Sequence, residues 1–279
     1  MRYKAEFKPG VCAIVASAVS RGASIFGASS DDTVFLKLTK SELIFGFAGS
    51  GDRVECWLKF SAESTFNGDV ICESIREDVI DIAVSVGNLV STLKHAAKAK
   101  QTSFRLSRGA AQQELLVFEL RFTSGEISQE KLLVFQNMPV SVIRDISSVK
   151  LEPRLPDPTV KFELLGLSRI REVLDKMKIF KINSCEIIVS EGSQLSLCGF
   201  SDGVRVEANL TEVPVLQGSD ANGNFPVSKL ALLVTQFSAL PSSGCTAALL
   251  ASDFYFCLWT SLEGSVGSFT AILPALVAT

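Results

Sequence analysis

Apolar side chains recur along this chain with two periods, and the switches between them lay out its elements. Met1–Phe7 reads as a strand. Val11, Ile14, Val15 and Ala18 then return at helical spacing, predicting a helix from about Val11 to Arg21 that stops near Gly22, a natural residue beyond a helix C-terminus. Strand patterns follow at Thr33–Leu38, Glu42–Phe47, Arg53–Phe60 and Asp78–Ser85, with Gly49-Ser-Gly51 marking a hairpin. A second helix is expected over Val86–Lys100, with its stripe at Val86, Leu89, Val90, Leu93 and Ala97. Strands Ser103–Ser107, Glu114–Phe122 and Lys131–Gln136 come next; in the second, Leu116, Phe118, Leu120 and Phe122 alternate onto one face.

After a Pro-punctuated connector, Val140–Pro158, the order repeats. Thr159–Leu164 reads as a strand. A helix over Leu165–Phe180 carries its stripe at Leu167, Ile170, Leu174 and Met177. Ser184–Ser190 and Gln194–Phe200 form a hairpin, Val204–Leu210 a further strand and Val213–Gly223 a polar loop. Pro226 and Ser228 open a last helix, with stripe Leu230, Leu233, Val234 and Phe237, which Pro241 prevents from continuing. Thr246–Ala251, Phe254–Trp259 and Ser265–Leu273 complete the set. Two copies of a strand–helix–strands unit make an α+β protein of antiparallel sheets backed by paired helices.

The 279 residues suit two domains of ordinary size. Phe (19) far outnumbers Tyr (2) and Trp (2), which reads as core packing rather than a base-stacking platform. Seven cysteines (Cys12, Cys56, Cys72, Cys185, Cys198, Cys245 and Cys257) show no CxxC pair and lie in apolar or strand-like stretches, so buried thiols are expected. No apolar run is long enough to span a bilayer. Arg2, Lys4 and Lys8 ahead of Val11–Val19 mimic a leader peptide, and Asn209-Leu-Thr211 is a formal glycosylation sequon. The first belongs to one competing reading, a secreted β-rich binding protein with a cleaved leader; the sequon, at the end of a strand-like stretch, reads as a chance match.

A net charge of −3 argues against a non-specific nucleic-acid coat, but it conceals an uneven distribution. Residues 86–100 hold Lys94, Lys98 and Lys100 and no acid. Residues 165–181 hold Arg169, Arg171, Lys176, Lys178 and Lys181 against Glu172 and Asp175. From 182 to 279, Arg205 and Lys229 face eight acids. His95 lies beside Lys94, and Lys229 is the one clear cation of the last helix. Two helices with basic outer faces in an acidic protein suit a weak lining that tracks phosphates and reads no bases. Such faces also arise simply by solvation of an amphipathic helix.

Catalytic patterns are missing. A His-based triad would have to use His95, the single histidine, which stands among lysines. GxSxG, the phosphate-cradling GxxxxGK[ST] and HExxH do not occur. The acidic pairs Asp31-Asp32 and Glu77-Asp78 read as solvated turns. The chain is expected to be no enzyme and to use no cofactor or metal, although a carboxylate site leaves little sequence trace.

Leu155-Pro-Asp-Pro158, Val173-Leu-Asp-Lys-Met-Lys178, Phe269-Thr-Ala-Ile-Leu-Pro-Ala-Leu276, Met1-Arg-Tyr-Lys-Ala5 and Asn137-Met-Pro-Val140 together resemble the Hus-one family, a subunit of the DNA-damage checkpoint sliding clamp. Gln217–Asn224 and the Ala-containing C-terminus have no counterpart in the resemblance. It implies the fold of proliferating cell nuclear antigen (PCNA): a first clamp domain at 1–137, a connector at 138–158 and a second clamp domain at 159–279. Paired helices would line the inner face and antiparallel sheets the outside. It further implies a nuclear heterotrimeric ring with Rad-nine and Rad-one type subunits, opened by a checkpoint clamp loader, encircling double-stranded DNA and recruiting partners to checkpoint signalling and repair. The DNA-facing residues would be Lys94, His95, Lys98, Lys100, Arg169, Arg171, Lys176, Lys178 and Lys229. Subunit-joining strands would carry Lys131, Leu133 and Phe135 on one edge and Val204, Val206 and Ala208 on the other. A partner pocket would draw on Ile143, Ile146 and Val149 of the connector with Ile272 and Pro274. A homotrimeric replicative clamp of the same fold is the nearest alternative.

Overall fold

A computed structural model describes residues 1–29, 32–47, 54–75, 77–108, 113–123, 131–143, 157–164, 166–190, 194–240, 242, 244–250 and 255–276. The chain divides into two compact units. One comprises Met1–Ala48, Trp57–Glu152 and Leu262–Ser268; the other comprises Gly49–Cys56, Pro153–Ser261 and Phe269–Thr279.

In the first unit, β1 (Arg2–Glu6), β5 (Ile71–Glu73), β7 (Gln101–Arg108), β8 (Glu114–Thr123) and β9 (Lys131–Pro139) form an antiparallel sheet in the order β5-β1-β7-β8-β9. A second set runs β10-β6-β2-β3-β4, from β2 (Thr33–Leu38), β3 (Glu42–Phe47), β4 (Glu55–Ser61), β6 (Ile80–Ser85) and β10 (Ser141–Val142). Helices α1 (Val11–Phe26) and α3 (Val86–Ala96) pack against each other, and α2 (Ala62–Thr65) is a single turn.

Two helix ends differ from the expectation. α1 runs past Gly22 to Phe26 and closes on Gly27, which adopts φ 67°. Gly22 is small for a different reason: a Cβ there would lie 2.8 Å from Phe47 Cε2, so the residue lets helix and strand approach closely. α3 stops at Ala96 rather than Lys100, because the buried Thr102 hydroxyl donates to the Ala96 carbonyl (3.1 Å) as the chain turns into β7. Its start is capped by Ser85, whose hydroxyl accepts from the Asn88 amide (3.4 Å).

The five-stranded sheet packs an aromatic cluster. Phe104 has ring centroids of Tyr3, Phe7, Phe66 and Phe118 at 5.5, 5.3, 5.8 and 5.4 Å. Tyr3 is 0% exposed, and its hydroxyl has no hydrogen-bond partner among the described residues. Burial raises its pKa, so the phenol stays neutral. Removing that orphaned hydroxyl leaves the ring packing in place, so Tyr3→Phe is expected to raise the unfolding free energy by ~1 kcal/mol in urea denaturation.

In the second unit, β11 (Pro158–Glu163), β15 (Val215–Gln217), β17 (Thr246–Leu250), β18 (Tyr255–Ser261) and β19 (Gly267–Pro274) run in the order β19-β18-β17-β11-β15. A separate antiparallel sheet runs β14-β13-β12-β16, from β12 (Ser184–Ser190), β13 (Gln194–Ser201), β14 (Val204–Leu210) and β16 (Ala221–Pro226). Helices α4 (Leu167–Ile179) and α5 (Val227–Ser238) pack together. The expected polar loop at 213–223 therefore holds strand structure. β15 pairs with β11, and all six residues of β16 pair with β12.

All seven cysteines are thiols; Cys198 is half-buried and the other six are buried. Burial pushes the Cys12, Cys185, Cys245 and Cys257 thiols up to about 12, which keeps them protonated at neutral pH.

Candidate nucleic-acid interface and open strand edges

The inward faces of α3 and α4 are apolar and their cations point outward. In α3, Val86, Leu89, Leu93 and Ala96 are buried, while Lys94 and His95 stand exposed in the last turn. Lys98 and Lys100 are also exposed, in the turn that follows the helix. Lys94 borders an open cleft of about 460 Å³ between α1 and α3, whose hydroxyls come from Ser20, Ser24, Ser29 and Ser91.

In α4, Ile170, Leu174 and Met177 are buried, and Arg169, Arg171, Lys176 and Lys178 are exposed. At 3.6 residues per turn, Arg169 and Lys176 share one row and Arg171 and Lys178 another, roughly half a turn away around the axis. The rows differ in electrostatics. Asp175 pairs with Arg171 (3.6 Å) and with Lys178 (3.7 Å). Arg169 and Lys176 make no ion pair among the described residues. One row of α4 thus keeps its charge for a ligand, and the other is largely compensated. Lys229, the expected cation of α5, is half-buried and has an interaction of its own, so that helix contributes less.

The edges come next. β9 pairs with β8 alone, and its far side has no strand neighbour among the described residues. Leu132 and Phe135 are 58% and 55% exposed, and Leu133 and Val134 between them are exposed as well. Successive strand residues point to opposite faces, so this run is apolar on both faces and open at its edge. The side chain of Lys131 lies outside the described residues. β14 likewise pairs with β13 alone. Val204, Val206 and Ala208 are half-buried on one of its faces. Arg205 and Glu207 on the other are exposed and paired with each other at 2.8 Å. Both strands named from the sequence as joints thus lie at sheet edges, and they differ in chemistry. Leu132 and Val134, missed in the sequence, belong with Leu133 and Phe135.

The expected pocket residues come from both units. Ile143 is half-buried in the first unit, where its amide donates to the Asp81 carbonyl (2.9 Å). Ile272 is buried in β19 and so has little side chain to offer a peptide; Pro274 is half-buried. Ile146 and Val149, like most of the connector, lie outside the described residues. Among those described, no cluster of His, Cys, Asp and Glu could hold a metal ion, and no helix is long and apolar enough to cross a membrane.

Comparison with known proteins bears on this arrangement. PCNA from Thermococcus kodakaraensis superposes with a TM-score of 0.70 at 14% identity, over 98% of this chain and 100% of that one. PCNA from Entamoeba histolytica gives 0.68 at 11% identity, over 99% of each chain. The PCNA2-PCNA3 complex from Sulfolobus tokodaii gives 0.63 at 17% identity, again over 99% of each. At such identities the likeness shows the fold. In sequence, the checkpoint protein hus1 of Schizosaccharomyces pombe is 28% identical over 145 residues, 52% of this chain. The match spans about half the length of that curated relative (49%). The family described as Hus1-like protein matches residues 1–229. With that match and an end-to-end structural likeness to PCNA, the chain belongs to the Hus1-like protein family and has a PCNA-like clamp fold.

Proposed function

We propose that the chain is a non-catalytic subunit of a heterotrimeric, nuclear DNA sliding clamp acting in DNA-damage checkpoint signalling and repair. Residues 1–137 and 159–279 are its clamp domains and 138–158 the connector. Two related subunits of Rad-nine and Rad-one type complete the ring, and a checkpoint clamp loader opens it. The observation that carries this reading is that β9 and β14, one in each unit, each have a side with no strand neighbour among the described residues. Edge-to-edge strand pairing satisfies the open backbone groups and buries the apolar run on β9.

A closed ring holds DNA by topology, so phosphate contacts need only be weak enough to permit sliding. Lys94, Lys98, Arg169 and Lys176 suit that role, and an overall acidic chain is no obstacle to it. The fold is shared with homotrimeric clamps, but a chain that ringed DNA in three copies would need stronger cationic faces on every helix.

Co-expression with the two related subunits tests the reading. Wild-type chain is expected to co-purify as a 1:1:1 assembly, and the double variant Leu133→Asp/Phe135→Asp to lose about thirtyfold in affinity for the neighbour at β9. The variant should keep its own Tm, because both side chains are exposed. A stable trimer of the pure chain in gel filtration would overturn the heteromeric reading in favour of a homotrimer.

A further inference from the structure

The C-terminal end of α4 breaks two rules of surface composition at once. Ile179 is 75% exposed and Phe180 49% exposed, adjacent to each other on an otherwise charged face. The chain then leaves the helix through Lys181 at φ 56°, a left-handed conformation normally given to glycine. The closing pattern is complete. The Lys181 amide donates to the Lys178 carbonyl (3.0 Å), and the Ile182 amide donates to the Met177 carbonyl (2.9 Å). Ile182 and Met177 are both buried, and a Cβ on Gly199 would meet both. This is a well-formed helix stop that would be more stable with glycine in the Lys181 position. A strained, charged residue held there by an ordered framework is the kind of outlier that points to function.

Its surroundings indicate the ligand. The Phe180 amide donates to the Lys176 carbonyl (3.1 Å), so the ring continues the row of Arg169 and Lys176, the row without ion pairs among the described residues. Lys176 and Lys181 flank the ring; the nearest acid by helical position, Asp175 one turn before Ile179, is engaged by Arg171 and Lys178, and Glu172 lies a further turn back. An exposed apolar pair inside a basic collar complements a polyanion that also offers apolar faces. Duplex DNA keeps its base faces inside its own stack. Unpaired DNA presents both the phosphates and the faces.

We propose that Ile179 and Phe180, collared by Lys176 and Lys181, form a stacking site for unpaired DNA bases. This rests on reading α4 as a DNA-facing helix and adds a ligand preference to it. Phosphates seat along Arg169, Lys176 and Lys181, a base stacks on Phe180, and Ile179 packs beside it. The subunit would therefore hold single-stranded DNA, or the single-stranded side of a junction, better than its cations alone allow.

The test is fluorescence anisotropy of the full chain with labelled oligothymidylate and a labelled duplex of equal length, across a salt series. Phe180→Ala is expected to weaken oligothymidylate binding about tenfold with an unchanged salt slope, and to leave duplex binding nearly as it was. Lys181→Gly is expected to raise Tm yet lower the oligothymidylate salt slope by about 0.7, one phosphate contact. Lys176→Ala should lower the slope on both DNAs. If Phe180→Ala binds oligothymidylate as wild type does while Lys176→Ala weakens both DNAs, the stacking site is wrong and the DNA-facing helix stands. If neither variant changes binding to either DNA, both fail. A Phe180→Ala chain that binds both DNAs normally but no longer co-purifies with the other subunits overturns the proposal in favour of a protein contact.

Discussion

Gly218→Ala is expected to cost ~4 kcal/mol of unfolding free energy, among the largest effects of any single substitution in this chain. Gly218 follows β15 at φ 79°, which already disfavours any side chain. Space disfavours it more. A Cβ would lie 2.0 Å from the Thr159 carbonyl oxygen and 3.0 Å from both the Thr159 carbonyl carbon and Val160 Cα. All three are backbone atoms of β11, so no rotamer change relieves the collision, and the β15–β11 pairing must open. Gly203 provides the control. Its φ is 80°, but a Cβ there meets nothing within 4 Å. Gly203→Ala should therefore cost only the conformational strain, ~1 kcal/mol. Urea denaturation of the two variants side by side separates the terms. Equal losses would show that the close approach at Thr159 is not real.

Phe104→Ala is expected to cost ~4–5 kcal/mol. The side chain is 3% exposed, and four other aromatic rings lie around it. Truncation removes the transfer energy of the ring and leaves a void walled by Tyr3, Phe7, Phe66 and Phe118. Those rings are anchored on three separate segments, Tyr3 and Phe7 at β1, Phe66 after α2 and Phe118 on β8, so they cannot all collapse inward. Phe104→Leu, which fills part of the void, should cost about half as much. The comparison is Phe200→Ala on β13. That ring is 67% exposed, and the variant should fall within about 0.5 kcal/mol of wild type. A loss at Phe104 no larger than at Phe200 would mean that the cluster is not a structural core.

Much of this fold is legible in the residues because local pattern and tertiary structure agree. β2, β3, β12 and β14 start and end where the sequence pattern places them. The helices lie where the stripes place them. Disagreement arises where a residue has more than one physical use. Gly22 reads as a stop signal, yet its lack of a side chain serves a close helix–strand approach inside α1. Ala221–Pro226 has the composition of a loop, and it becomes a strand because β12 supplies a partner for every residue. That information is not local.

The candidate site divides in the same way. The outward cations of α3 and α4 follow from periodicity, and the Asp175 pairings follow from i,i+3 and i,i+4 spacing. The half-burial of Lys229 does not, because neighbouring elements determine it. Nothing in the apolar run Leu132–Phe135 itself marks an edge; the family resemblance names the strand as one, and the topology puts β9 at the end of its sheet. Ile179 and Phe180 fall outside the stripe that ends at Met177, and both are exposed.

The contrast between the two edge strands has a bearing on how such a subunit is handled before assembly. β14 carries a charge pair that discourages adventitious strand addition, whereas Leu132–Phe135 on β9 carries no such deterrent. A solitary copy thus resembles a half-closed zip that will engage any extended polypeptide. In the proposed ring, its solubility depends on how promptly a proper neighbour is supplied, and matched synthesis of the neighbouring chain becomes part of what keeps it native.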